Sequence, residues 1–73
     1  MNFTNVPINI DGNMYSFNFE YKEQTEYGQA CFITSGGGEM IIDEDFAIIR
    51  NDFPDEWVPS IIAKLKQLLD FDV

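Results

Sequence analysis

The segment Val6–Phe32 constrains the fold more than any other part of this chain, because two tight-turn signals interrupt its alternating apolar runs. Asp11-Gly12 is the favoured pair for a two-residue type I′ hairpin loop, in which both central residues take positive φ. Such a loop pairs Ile10 with Asn13, Ile8 with Tyr15 and Val6 with Phe17. Directly opposed residues share a face of the sheet. Val6, Ile8 and Ile10 therefore lie with Tyr15, Phe17, Phe19 and Tyr21. A slip of one residue would set Val6 against Ser16 and Ile8 against Met14, and would divide the apolar face. Turn chemistry and apolar pattern thus specify the same register.

The first strand covers residues 2–10, and Pro7 on its outward phase removes a backbone donor, as suits an edge strand. The second covers 13–23, with Ser16, Asn18, Glu20 and Lys22 on its polar side. A two-residue loop at Thr25-Glu26 pairs Phe19 with Phe32 and Tyr21 with Ala30. That places Ala30, Phe32 and Thr34 on the core face and leaves Cys31 and Ile33 outside; a loop one residue longer exchanges the two sets. Gly36-Gly37-Gly38 suits a three-residue hairpin loop, which pairs Phe32 with Ile42 and Thr34 with Met40. The fourth strand then spans 39–43, and Asp43-Glu44-Asp45 turns the chain. Residues 46–50 read as a short fifth strand with Phe46 and Ile48 inward; one bent strand through 40–50 is the alternative.

Past the break at 51–56, Val58, Ile61, Ile62, Leu65, Leu68 and Leu69 recur at three- and four-residue steps and form one apolar helical stripe. Asp55 can cap this helix with Pro59 in its first turn; alternatively Pro54 starts a separate turn and the helix begins near Pro59. Neither the stripe nor the aromatic sheet face is stable alone in water, so the two pack together. The expected fold class is α+β: an antiparallel β-meander of four or five strands with one C-terminal helix packed on one face, a single domain over residues 1–73. Phe17, Phe19 and Phe32 should be buried against Ile61, Leu65 and Leu68. A chain this short buries only about 60% of its unfolded surface, so the seven phenylalanines, three tyrosines and one tryptophan are read mainly as core.

Thirteen acidic residues against four basic ones give a net charge of −9. Direct nucleic-acid binding and attachment to an anionic membrane both need a basic face and are disfavoured. A partner carrying positive charge is favoured. Cys31 is the sole cysteine, so no internal disulfide framework exists. No basic N-terminal region with an apolar core stands in the sequence, so no secretory leader is expected; no apolar run reaches membrane-spanning length, and the expected location is the cytoplasm. The sequon at Asn2-Phe3-Thr4 is then accidental.

The chemistry on offer is narrow. Histidine is absent, which removes the commonest general base and, with one cysteine, a zinc site within one chain. Cys31 has no activating neighbour in sequence. Ser60 and Lys64 stand one helical turn apart, but a basic lysine needs desolvation and Lys64 is read on the wet face. The three glycines lack the Lys-Ser/Thr of a phosphate cradle. Residues 43–48 lack the oxygen ligand and glycine at the fifth and sixth positions of an EF-hand loop. Neither an enzyme, nor a cofactor, nor a metal site is expected. One candidate surface is the acidic rim of Asp43, Glu44 and Asp45, suited to docking a basic protein. The other is a sheet face where the alternation sends Cys31, Ile33, Ile41, Ala47 and Ile49 outward, an apolar patch of the kind that marks a homodimer or a protein contact. The expected function is a non-catalytic protein–protein interaction module. The alternative, from small size and acidity, is an inhibitor or nucleic-acid mimic acting on a basic protein.

Overall fold

The structure, a computed structural model, describes residues 2–70. Five strands form one antiparallel sheet in chain order: β1 (Asn2–Ile10), β2 (Asn13–Thr25), β3 (Gly28–Ser35), β4 (Gly38–Asp43) and β5 (Ile48–Asn51). A 3₁₀ turn at Asp55–Trp57 leads into the helix α1 (Val58–Asp70), which packs on one sheet face. The α+β meander expected from the sequence is the observed fold.

The first hairpin has the register its turn dictates. Asp11 and Gly12 take φ of 53° and 84°, and Val6, Ile8 and Ile10 oppose Phe17, Tyr15 and Asn13. Further down, Phe3 opposes Phe19, so Thr4 and Asn5 together face Asn18 in a β-bulge. Asn5 sits at φ 54°, and its N–H donates to Asn18 Oδ1 at 3.0 Å. A bulge and Pro7 both blunt this edge strand.

The third strand departs from expectation. The loop is Glu26-Tyr27, closed by the Thr25–Gly28 pair, and a bulge then sets Glu23 and Gln24 against Gln29. Moving the loop by one residue on each side preserves which face a residue takes; the bulge reverses it. Phe19 therefore opposes Ile33, and Tyr21 opposes Cys31. The next loop holds two residues, not three: Gly36 and Gly37 take φ of 54° and 88°, and Ser35 pairs with Gly38. This reverses the faces again, so Met40 and Ile42 point inward as expected. The physical cause is joint. A two-residue glycine turn matches the twist of its strands, and with Met40 and Ile42 buried it obliges Cys31 and Ile33 to be buried too. The bulge reconciles that demand with Phe17 and Phe19 on β2.

Phe17, Phe19, Ile33, Met40, Ile42 and Ile61 are each less than 2% exposed. Leu65 is buried with them, and Leu68 packs against the same cluster. Phe32, expected in this core, is half-buried on the opposite face. The fifth strand is shorter than expected. Residues 46 and 47 lie in the loop, where Phe46 at φ 62° packs against the core. Ile48 opposes Ile42 yet is 42% exposed at the sheet edge. At the helix start, Pro54 begins the 3₁₀ turn and no side chain caps it, so the separate-turn alternative holds and Asp55 is not an N-cap.

Candidate functional site

A meander places alternate loops at opposite ends of the sheet. The β2–β3 and β4–β5 loops share one end, and the row Lys22–Ala30–Asp43 crosses the sheet just inside it. Glu23 and Glu26 are thereby brought beside Asp43, Glu44 and Asp45, across two strand spacings of about 5 Å each. The sequence segregates these residues; the topology joins them.

The three acids of the expected rim have different roles. Asp43 is half-buried and its Oδ1 accepts the N–H groups of Asp45 and Ala47, each at 2.9 Å. Its backbone also exchanges hydrogen bonds with the loop: Asp43 N–H donates to Ala47 O, and Phe46 N–H donates to Asp43 O, each at 3.0 Å. Asp43 is thus built into the turn. Glu44 and Asp45 are exposed, and neither side chain takes part in these contacts. Among the described residues, no three metal-ligating side chains converge on one point.

The apolar sheet-face patch is corrected in three places. Cys31 (3% exposed) and Ile33 (0%) belong to the core, because of the bulge in β2. Ile41 does face away from the helix, but it is only 5% exposed, between Phe32 and Arg50 in the same cross-strand row. Ile49 is the unpaired residue where the β4–β5 register shifts, and it is 37% exposed at the edge. The open face is therefore largely polar, with Phe32 at its centre under Lys22, whose Nζ lies 4.8 Å from the ring centroid. A shallow depression of about 360 Å³ surrounds Phe32, with Asn18, Glu20 and Thr34 on its walls.

The bases of this surface are occupied. Lys22 is 3.8 Å from Glu20, and Arg50 bridges Asp52 at 3.1 Å and Glu39 at 4.0 Å. Lys66 Nζ lies 5.1 Å from the Phe46 ring centroid. Burial pushes the Cys31 thiol up to about 11, so it is not a nucleophile at neutral pH. A hydrogen bond with Glu26, followed by the charge of that carboxylate, raises the phenol of the exposed Tyr27.

At the other end of the sheet lies a feature that the sequence reading passed over. Trp57 is flanked by Tyr15 and Phe53, with ring centroids 4.4 and 6.0 Å away. Phe53 is 9% exposed and also meets Phe17 edge-on at 5.6 Å. A Cβ on Gly38 would sit 2.8 Å from Phe53, so glycine is needed there for the ring to seat. Phe53 and Trp57 fall outside the strand and helix periodicities, so only their size marked them. No helix among the described residues is long and apolar enough to cross a membrane. No protein-family model, no curated protein and no solved structure matches this chain.

Proposed function

We propose that this protein is a non-catalytic interaction module that docks a basic protein partner against the loop end of its sheet. The carrying observation is the excess of acids over bases at that end. Glu23, Glu26, Glu44 and Asp45 are exposed at one end, while Lys22 and Arg50 are paired with acids on the open face and Lys66 lies over Phe46. Uncompensated carboxylates within about a Debye length (~8–10 Å) of one another reinforce each other's field and accelerate encounter with an oppositely charged surface. Two chains each carrying −9 repel, which favours a different protein over a second copy.

The test is a pull-down from host extract with the wild type and with the variant Glu23→Gln, Glu26→Gln, Glu44→Gln, Asp45→Asn. Asp43 is left intact because it holds the loop together. The expected result is a partner retained by the wild type at low salt and lost from the variant. A partner retained equally by both assigns the loop end to solubility alone.

A further inference from the structure

A cleft of about 360 Å³ opens between the aromatic group and the glycine hairpin, at the sheet end remote from the acidic loops. One wall is Tyr15, Phe53, Pro54 and Trp57; the other includes Gly36 and Gly38. Gly36 and Gly38 present bare backbone on that wall beside Ser35, and Phe53 is seated against Gly38, so the open rings are those of Tyr15 and Trp57. Both Tyr15 and Trp57 are half-buried, leaving part of each ring in contact with solvent. One carboxylate lines the opening and two more stand on the adjoining turn. Asp52 lines it, with its charge partly answered by Arg50 at 3.1 Å. Asp55 and Glu56, on the 3₁₀ turn between Pro54 and Trp57, are exposed and, among the described residues, have no base within ion-pair distance.

We infer that this cleft receives an arginine side chain presented by a protein partner. Aromatic rings attract a cation through their negative faces, most strongly at tryptophan. A guanidinium is planar and weakly hydrated, stacks on such rings, and can bridge to carboxylates at the rim at the same time. An ammonium is compact and strongly hydrated and would gain less from the flat face of a ring. An apolar side chain would use the rings but leave the carboxylates without function, and an anion would be repelled by them. The site stands apart from the acidic loop end, and either can fail without the other.

Trp57 is the chain's one tryptophan, so its emission reports on the cleft directly. The probe is the blocked peptide acetyl-Gly-Arg-Gly-amide, titrated beside its citrulline and lysine counterparts. The expected result is a saturable change in emission with the arginine peptide, weakened by added salt, and none with citrulline, which keeps the shape and lacks the charge. Asp55→Asn with Glu56→Gln should weaken binding about threefold or more. Gln24→Lys with Gln67→Lys makes the same change in net charge away from the cleft and should leave binding unchanged. All four positions are exposed, and far-UV circular dichroism verifies that both variants fold. The inference is overturned by the absence of a saturable signal, by equal binding of the citrulline or lysine peptide, or by equal weakening in the two charge-matched variants. The peptide comparison uses the wild type and decides the matter even if a variant is unstable.

Discussion

Asp43, Glu44 and Asp45 look interchangeable in the sequence and are not interchangeable in the fold. Only Asp43 accepts two loop amides, so its carboxylate replaces water for donors that the tight turn would otherwise leave unpaired. Asp43→Ala should cost about 1–2 kcal/mol in urea denaturation, whereas Glu44→Gln and Asp45→Asn should each stay within about 0.5 kcal/mol. An Asp43→Ala protein as stable as the wild type would assign the loop to its backbone hydrogen bonds alone. Cys31 offers a second test at this scale. Its thiol titrates near 9.0 when exposed and near 11 in the fold, because burial disfavours the thiolate. The folded state therefore holds the proton more tightly. That contribution to stability is complete below the unfolded value and is lost as pH rises through the folded one. Compared in urea under reducing conditions, the stability advantage of the wild type over Cys31→Ala should shrink between about pH 9 and about pH 11. A constant gap would mean that the thiol is solvated.

At the scale of elements, legibility tracked how strongly local chemistry excluded alternatives. The β1–β2 hairpin was readable because Asp11-Gly12 permits one loop, and any slip would have divided an apolar face. The helical stripe was readable for the same reason, since Ile61 and Leu65 are buried where its period placed them. The face of β3 was not readable. The bulge that reverses it lies among Glu23, Gln24 and Gln29, all exposed, so no hydrophobic term distinguished the two arrangements locally. Both candidate faces of β3 also carry apolar residues: Ala30 and Phe32 on one, Cys31 and Ile33 on the other. What decides between them is the two-residue glycine turn acting on β4, a constraint one hairpin away. Ile33→Asp tests this assignment. A buried, unpaired carboxylate is costly enough to consume most of a small domain's stability, so the variant should lose its cooperative melt. A folded, soluble Ile33→Asp protein would place Ile33 on the open face and restore the apolar patch.

Over the whole molecule, the helix covers one sheet face and the other is polar, with Phe32 half-buried at its centre under Lys22. The apolar patch expected from the alternation has therefore contracted to Phe32, the covered Ile41 and the edge residue Ile49. The two proposed recognition surfaces, the acidic loop end and the aromatic cleft, sit at opposite ends of the meander. Along the chain only the Asp43–Asp45 half of the acidic end was visible, because that end joins two loops about 20 residues apart; the cleft, which joins a strand, a hairpin and a 3₁₀ turn, was not. The most direct test of the charge-based account is the association rate between the protein and its captured partner, measured against ionic strength for the wild type and for the Glu23→Gln, Glu26→Gln, Glu44→Gln, Asp45→Asn variant. Steered encounters slow steeply as salt screens the field. The expected result is a wild-type rate that falls with salt toward the slower, nearly salt-independent rate of the variant. Rates that coincide at every ionic strength would contradict the account.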